Sequence, residues 1–360
     1  MSRIRVAVVF GGRSSEHEIS CISAGSVLAA LDRDRYDVVP VGITPDGRWV
    51  LAPDDPQALT ISGRDLPQVD PRGAALVLAG DPTVKGLVVL DPAASPPELG
   101  SVDVVFPLLH GPYGEDGTIQ GLLELAGVPY VGSGVFASAA AMDKHHMKQL
   151  LSVAGLDVPP YVIVREGQPV PATVADLGLP VFVKPARGGS SIGITCVDDP
   201  AALEGAIAEA HRHDPKALVE KAVIGREIEC GVLVDRNGVP HASVPAEIRV
   251  TGPQPFYDFE AKYLGDSTEF DIPPDLDADT IARVQQAAVR AFEALDCEGL
   301  ARVDFFVTAD GGVVVNEINT MPGFTPSSMF PRMWAATGVD YAELVNRLVD
   351  DAIRRGTGLR

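Results

Sequence analysis

The chain has 360 residues, 46 % of them apolar and 22 % charged, a composition typical of a globular protein long enough for two or three domains. Its 49 acidic residues outnumber its 29 basic residues and give a formal net charge of -20. Because such a surface repels phosphate backbones and anionic lipids, the charge argues against a nucleic acid or a membrane as partner. Any phosphate-binding site in this chain must therefore be locally basic.

The N-terminal residues run directly into a strand-like segment, and the sequence predicts neither a signal peptide nor a run of the ~18 apolar residues that span a bilayer. The four cysteines lie far apart and form no C-x-x-C pair: Cys21, Cys196, Cys230 and Cys297. We therefore expect free, buried thiols and a cytoplasmic location.

Apolar runs and amphipathic stretches alternate through the first third of the chain. Strands are predicted at 5–10, 37–43 and 102–109, and a helix at 15–31. This order is typical of α/β folds with a parallel sheet. Between about residues 49 and 100 the sequence is rich in Pro, Asp and Ala and predicts hairpins and loops without assigned chemistry.

A predicted helix at 142–154 ends at Gly155, and two prolines follow at 159 and 160, which indicates a hinge into a second unit. That unit has predicted strands near 161–164, 181–184, 192–197 and 218–220, and a helix near 201–211. A third unit begins near 241 and ends in a helix over 341–353. We expect three domains: an N-terminal α/β domain at 1–141, a central domain at 142–240 and a C-terminal domain at 241–360.

Two glycine-containing loops follow strands of the first unit. Gly11 and Gly12 precede a predicted helix, and the local pattern alone favours a plain helix start, with Ser14 or Ser15 as N-cap and Glu18 completing a capping box. His110 stands at the end of the next buried strand, where open α/β sheets place ligands. His110 is therefore the residue of its loop that we expect to touch a ligand.

A third loop, Pro185 to Ser191, follows Lys184 at the end of a strand and is rich in Gly and Ser. Backbone N–H groups and hydroxyls of such a loop suit phosphate oxygens, and Lys184 adds positive charge. Farther along, Glu220 and Glu227 flank a short link between two strands. They could accept hydrogen bonds from adenosine, although the second could equally lie on the solvent face of an edge strand.

Four polar groups converge on one predicted hairpin, at 300–307 and 313–319. Alternation along a strand puts Arg302 and Asp304 on one face of the first strand, and Glu317 and Asn319 on one face of the second. Hard oxygen ligands of this kind suit Mg²⁺ that bridges nucleotide phosphates. A salt bridge of Arg302 accounts for one acid only, so the pattern favours a metal site.

In chain order, these blocks resemble the ATP-grasp superfamily and, within it, the D-alanine:D-alanine ligase family. The blocks that carry the resemblance are Gly11 to Glu18, His110 to Gly117, Met142 to Lys144, Lys184 to Gly193, Phe256 to Tyr263 and Asn316 to Gly323. It covers nearly the whole chain and is weakest from about 50 to 100.

The resemblance implies an α/β, three-domain ATP-grasp architecture with ATP held between the central and C-terminal domains. The family phosphorylates the carboxylate of one D-alanine with ATP, and the amine of a second D-alanine then displaces phosphate to give D-alanyl-D-alanine for peptidoglycan. The implied cofactors are ATP and two Mg²⁺ or Mn²⁺, with a monovalent cation such as K⁺ as a further candidate. The implied partners are small-molecule substrates and a second copy of the chain in a homodimer.

The resemblance also implies a role for each matching residue. The implied catalytic residues are Glu16, Ser190, Tyr263, Arg302 and Gly323. ATP would be bound by Lys144, Lys184, Ser190, Ser191, Glu220, Lys221, Val223, Glu227 and Lys262. Substrate would contact Glu16, His110, Arg302, Gly323, Ser328 and Met329, and metal would be bound by Asp304, Glu317 and Asn319. A lid at about 251–270 would bring Tyr263 to Ser190 and exclude water.

Three alternatives remain at this stage. A relative that makes D-alanyl-D-lactate would share the scaffold, although Tyr263 argues against it. Another carboxylate-amine ligase of the superfamily would share the hairpin but not Glu16 and the lid. A non-catalytic ATP-binding regulator would have no need for transition-state groups such as Arg302.

Overall fold

A computed structural model of the chain describes residues 3–61, 63, 65–84, 86–90, 98–250 and 268–358. Two predicted site residues, Lys262 and Tyr263, lie outside the described residues, as does most of the predicted lid at 251–270. Among the described helices, none has the length and apolar character needed to cross a membrane.

The described helices are α1 (His17–Ala30), α2 (Thr118–Ala126), α3 (Val135–Met142), α4 (Lys144–Val153), α5 (Leu203–His211), α6 (Ala278–Ala294), α7 (Met329–Ala336) and α8 (Tyr341–Arg355). The described strands are β1 (Ile4–Gly11), β2 (Tyr36–Ile43), β3 (Trp49–Leu51), β4 (Leu76–Leu78), β5 (Gly86–Val89), β6 (Glu98–Ser101), β7 (Val104–Pro107), β8 (Tyr161–Arg165), β9 (Val181–Pro185), β10 (Thr195–Val197), β11 (Lys216–Lys221), β12 (Arg226–Val234), β13 (Pro240–Ala242), β14 (Ala246–Val250), β15 (Thr268–Asp271), β16 (Leu300–Val307) and β17 (Val313–Asn319).

The first sheet has the order β3-β2-β1-β7, and β1 pairs in parallel with both β2 and β7. Every residue of β1 from Val6 onward is buried, as expected of a central parallel strand covered on both faces. The predicted parallel sheet is confirmed. The region predicted as hairpins supplies the antiparallel β3 at one edge and a separate antiparallel sheet, β4-β5-β6.

The second sheet is antiparallel, with the order β10-β9-β11-β8. The strand predicted from residue 192 begins only at Thr195, so its predicted start is wrong. The reason is the preceding loop, because Ser190, Ser191 and Gly193 all have positive φ, which is incompatible with a strand.

The third sheet runs β15-β14-β12-β16-β17, and β13 pairs with the other end of β12. Strand β12 pairs with β16 of the third sheet. Its residues nevertheless lie within the range 142–240 that is predicted as the central domain. Helix α4 packs against the same sheet through Met147 and Leu151. The domain limits remain a prediction, and the sheet containing β16 begins at Arg226.

The start of α1 differs from the local pattern. Its N-cap is Glu16, with no side-chain capping bond, so the predicted cap at Ser14 or Ser15 is wrong. Ser14 is used differently, since its Oγ donates to the carbonyl of His110 at 2.6 Å and accepts from the N–H of Glu16 at 3.2 Å. The serine thus ties the first glycine loop to the loop after β7.

One hydrophobic core joins the two ends of the chain. Val6 and Phe106 of the first sheet share it with Phe330 of α7 and Leu344 of α8. The same core includes Leu233 and Leu300, so apolar burial packs the first sheet against the third. Three cysteines are buried as expected, whereas Cys196 on the edge strand β10 is only partly buried.

Candidate active site

The polar groups of the β16–β17 hairpin converge as predicted. Arg302 lies opposite Asn319, and Asp304 lies opposite Glu317. Arg302 donates from Nε and Nη2 to the two carboxylate oxygens of Asp304, at 2.7 and 2.8 Å. Asn319 Nδ2 donates to Asp304 Oδ2 at 3.2 Å. Two neighbouring strands therefore present one continuous polar patch.

A second acid holds Arg302 from the other side. Glu229 on β12 lies opposite Asp304 in the sheet, and its Oε2 is 3.2 Å from Arg302 Nε. Burial opposes the charge on Arg302, but Asp304 and Glu229 outweigh it, so the pKa of Arg302 is raised. The guanidinium is therefore a permanent, oriented cation.

The hairpin residues fit a divalent metal by the chemistry of their donors. Asp304, Glu317 and Asn319 offer carboxylate and amide oxygens on adjacent strands, the ligand type that Mg²⁺ prefers. Lys144 Nζ lies 3.5 Å from Glu317 Oε2 and donates to the carbonyl of Gly188 at 2.8 Å. Lys144 thereby links the candidate metal acids to the Gly-Ser loop that follows β9.

Glu16 faces that Gly-Ser loop from the N-terminal domain. Ser190 Oγ donates to Glu16 Oε1 at 2.5 Å. A Cβ added to Gly111 would lie 2.7 Å from Glu16 Oε2, and one added to Gly189 would lie 3.3 Å from it. The carboxylate is thus packed between two glycines, so its position depends on the absence of side chains there.

His110 connects the first sheet to the segment after β17. Its Nδ1 contacts the carbonyl of Met321 at 3.0 Å, and its Nε2 contacts Ser23 Oγ at 3.2 Å. Since a carbonyl only accepts, Nδ1 carries the proton and Nε2 accepts from the serine. Burial lowers the pKa of His110, which favours this neutral form. The ring lines the cavity, and contact with substrate remains a prediction.

Glu115, in the loop after β7, is a buried acid that joins the same two segments. Gly111 N–H donates to Glu115 Oε2 at 2.6 Å, and Met321 N–H donates to Oε1 at 3.3 Å. Burial, reinforced by the charge of Glu16, raises its pKa to about 8. The raised pKa favours the protonated form of Glu115 at neutral pH, although the two N–H donors oppose it.

Most of these side chains, but not Asp304, line one cavity of about 1030 Å³. The predicted site residues that line it are Glu16, His110, Lys144, Ser190, Arg302, Glu317, Asn319, Gly323, Ser328 and Met329. Ser328 is the N-cap of α7, and the positive end of a helix dipole at Ser328 and Met329 suits a carboxylate. The cavity therefore offers cations, acids and a helix N-terminus to a small zwitterionic or anionic ligand.

The predicted nucleotide residues divide into two sets, because Lys144 and Ser190 line this cavity and six other described residues do not. Of the described residues that line the cavity, none is Lys184, Ser191, Glu220, Lys221, Val223 or Glu227. Lys184 Nζ is instead 2.6 Å from Glu220 Oε1, and Lys148 Nζ is 2.9 Å from Glu220 Oε2. The N–H of Lys221 donates to the carbonyl of Pro160 at 2.9 Å.

A three-residue cluster of possible metal ligands lies beside this group. Atoms of Asp143, His145 and His146 lie within 4.8 Å of one another. Asp143 Oδ1 caps α4 by accepting from the N–H groups of both histidines, and Oδ2 pairs with Lys216. A helix cap and an ion pair account for this cluster.

Three ionisable residues that the structure brings to the site have no role predicted from the sequence: Glu115, Lys148 and Glu229. Glu229 can be recognised as a site residue only from the pairing of β12 with β16, which puts it opposite Asp304. The position of Lys148 was predictable from the sequence, because it follows Lys144 by four residues on one helix and so lies on the same face.

Both halves of the chain match known families. Residues 5–133 match the family described as D-ala D-ala ligase N-terminus. Residues 150–350 match the family described as D-ala D-ala ligase C-terminus. The two matches together span most of the chain.

Similar proteins agree with these matches. A curated relative, D-alanine--D-alanine ligase of Rhodococcus erythropolis, is 63 % identical over 100 % of this chain and 99 % of its own length. The solved structure of VanG D-Ala:D-Ser ligase from Enterococcus faecalis is 34 % identical, with a TM-score of 0.85 over 98 % of this chain and 100 % of that chain.

The solved structure of D-alanine--D-alanine ligase from Bacillus anthracis complexed with ATP is 26 % identical, with a TM-score of 0.73 and 98 % of each chain covered. The full-length matches and the convergence of the predicted residues lead to one conclusion. The chain belongs to the D-alanine:D-alanine ligase family and has its ATP-grasp fold.

Proposed function

We propose that this protein joins two D-alanine molecules to D-alanyl-D-alanine at the expense of ATP, through an acyl phosphate, for peptidoglycan precursor synthesis. The observation that carries the proposal is the meeting of Glu16, Arg302 and the α7 N-terminus on one cavity. Full-length similarity to a relative with this name supports it.

The first D-alanine would be held through its ammonium by Glu16, which Ser190 and the flanking glycines keep in place. Its carboxylate would then face Arg302. The second D-alanine would place its carboxylate at Ser328 and Met329, where the helix dipole is favourable. This arrangement would put the amine of one substrate next to the activated carboxyl carbon of the other.

Charge stabilisation would come from fixed donors. Arg302 and the N–H of Gly323 would stabilise the oxyanion that forms when the amine attacks the acyl phosphate. Arg302 is suited to this because Asp304 and Glu229 already fix its plane. Lys144, Lys184 and Lys262 would hold the phosphates, while Glu220, Lys221, Val223 and Glu227 would hold adenosine, and Ser191 would add a loop contact.

Metal binding is proposed at Asp304, Glu317 and Asn319. Two Mg²⁺ or Mn²⁺ ions, when bound, would offset the charge of the phosphates, and K⁺ is a further candidate cation. Tyr263 in the lid would exclude water together with Ser190. We also propose a homodimer and a cytoplasmic location, which sedimentation of the purified protein and cell fractionation would test.

The identity of the second substrate is the main point at which a relative could differ. The similar structure from Enterococcus faecalis is named a D-Ala:D-Ser ligase. The sequence resemblance adds a relative that makes D-alanyl-D-lactate as an alternative. D-Serine and D-lactate are therefore the alternatives that an assay must include.

The test is phosphate release from ATP and Mg²⁺ with D-alanine, L-alanine, D-alanine plus D-serine, or D-alanine plus D-lactate, with products identified by mass. We expect turnover with D-alanine alone and the dipeptide as main product in each mixture. Absence of D-alanine-dependent turnover would overturn the proposal. A dominant mixed product at neutral pH would replace it with a D-serine or D-lactate ligase.

A further inference from the structure

Lys148 is a lysine with a fully buried side chain, close to the nucleotide residues. It is 0 % exposed and lies on α4 one turn after Lys144, so both lysines point from the same helix face towards the second and third sheets. Its Nζ donates to the carbonyl of Asn316 on β17 at 3.0 Å. The same Nζ lies 2.9 Å from Glu220 Oε2.

Glu220 has two cationic partners. Its other oxygen, Oε1, lies 2.6 Å from Lys184 Nζ, and the residue is 3 % exposed. A buried carboxylate needs one counter-ion, because an unpaired charge in the interior is strongly unfavourable. Glu220 therefore has one more lysine than it requires, and one of the two can move away while the other still neutralises the carboxylate.

The two lysines differ in how firmly they are held. Lys148 also donates to the Asn316 carbonyl, and its side chain is fully buried between α4 and β17. Lys184 is 7 % exposed and stands at the end of β9, directly before the loop in which Ser190 and Ser191 have positive φ. Lys184 is therefore the partner that can be drawn away.

We infer that Lys148 is a positioning residue that keeps Glu220 charged and in place when ATP draws Lys184 to its phosphates. The inference rests on the proposed function, in which Glu220 accepts a hydrogen bond from the adenine and Lys184 binds phosphate. Without Lys148, Lys184 could reach the phosphates only by leaving a buried carboxylate unpaired. Lys148 thus supports nucleotide binding without touching the nucleotide.

The first experiment measures the Kd for ATP by calorimetry without D-alanine, so nucleotide binding is tested even if D-alanine-dependent turnover fails. Lys148→Met removes the charge and keeps the length of the side chain. We expect its Kd to rise about 10- to 100-fold, the usual effect of losing a hydrogen bond to a buried charged group. Gln149→Met, on the exposed side of the same helix, should leave the Kd unchanged.

A double-mutant cycle separates this role from a structural one. Glu220→Gln removes the charge that Lys148 serves, so Lys148→Met added to it should change the Kd by less than about twofold. The KM for D-alanine should be unchanged in Lys148→Met. Equal weakening by Lys148→Met in both backgrounds would show that it acts through Asn316 and α4, and would overturn the inference.

An unchanged Kd in Lys148→Met would also overturn it. If that single variant fails to fold, the comparison of Lys148→Met/Glu220→Gln with Glu220→Gln carries the test alone. Equal ATP affinities of these two proteins support the inference, and a weaker double variant contradicts it.

Discussion

Arg302 makes two hydrogen bonds to Asp304 and an ion pair with Glu229, while Lys144 reaches Glu317 across the cleft. Each charged group of the hairpin therefore has a partner within the protein. Such pairing lowers the cost of burying the charges, and it also fixes their directions. Substrate and metal would replace some of these partners at side chains whose positions are already fixed. Such preorganised charges favour catalysis.

Glu317→Gln tests the metal assignment. The substitution keeps the shape of the side chain but removes the negative charge that a divalent cation needs. We expect D-alanine-dependent phosphate release to be abolished while the thermal unfolding temperature stays close to that of the original protein. Glu293→Gln, at an exposed position of α6, is the matched control. Undiminished turnover in Glu317→Gln would remove Glu317 from the metal site.

Glu115 predicts a pH dependence of stability. Its pKa is raised from 4.5 to about 8, so between these values the folded protein keeps a proton that the unfolded chain releases. The free energy of unfolding should therefore fall as pH rises through this window, by up to about 1.4 kcal/mol per pH unit from this group.

Glu115→Gln should remove that contribution. Urea denaturation from about pH 5 to about pH 8 would measure the slope, with Glu293→Gln as the control that keeps it. An identical slope in Glu115→Gln and in the original protein would show that Glu115 is ionised in the folded state.

At the scale of elements, periodicity predicted the strands well and the loops poorly. The hairpin of β16 and β17 was predictable because alternation reports directly which residues share a face. The late start of β10 was not, because it depends on positive φ at Ser190 and Ser191, and serine rarely adopts that conformation. The pairing of β12 with β16, which adds Glu229 to the site, depends on contacts far apart in sequence.

Two glycines with the same backbone angle provide a test of the substrate loops. Gly111 and Gly167 both have φ of +73°, but a Cβ at Gly111 would lie 2.7 Å from Glu16 Oε2, whereas one at Gly167 meets nothing within 4 Å. Both alanine variants should lose about 1 kcal/mol of stability from the left-handed conformation. Only Gly111→Ala should also raise the KM for D-alanine, because it displaces Glu16. Equal KM values in the two variants would contradict the placement of Glu16 at the substrate.

In the molecule as a whole, the site depends on contacts between residues that lie far apart in the sequence. His110 and Glu115 bond to Met321, and Ser190 bonds to Glu16, each pair being more than 150 residues apart. Local sequence patterns cannot reveal such pairs. Only the family resemblance placed Glu16 at the site, since the pattern around it indicated a helix start.

Substitution of Arg355 tests how strongly the C-terminal helix α8 is bound to the segment Tyr130 to Gly132. Its guanidinium pairs with Asp351 at 2.7 Å and Glu298 at 2.8 Å, and it donates to the carbonyls of Tyr130 and Gly132 at 3.3 and 3.2 Å. Arg355→Ala removes four contacts of a largely buried guanidinium, although Arg354 still pairs with Asp351 at 2.5 Å, and should lower the free energy of unfolding by about 3 kcal/mol.

Arg212→Ala is the control for that measurement. Arg212 pairs with Glu209 while 75 % exposed, so its loss should cost less than about 1 kcal/mol. Denaturant unfolding of both variants gives the comparison. Equal losses of unfolding free energy in the two variants would mean that the contacts of Arg355 do not stabilise the packing of α8 on the segment Tyr130 to Gly132.

The proposed reaction requires that phosphoryl transfer from ATP activates a carboxylate of D-alanine before the second amine attacks. D-Alanine labelled with ¹⁸O in its carboxylate tests this directly, because the acyl phosphate leaves as phosphate with one carboxylate oxygen. We expect one phosphate with one ¹⁸O for each D-alanyl-D-alanine formed, together with ADP. Unlabelled phosphate, or AMP with pyrophosphate, would contradict it.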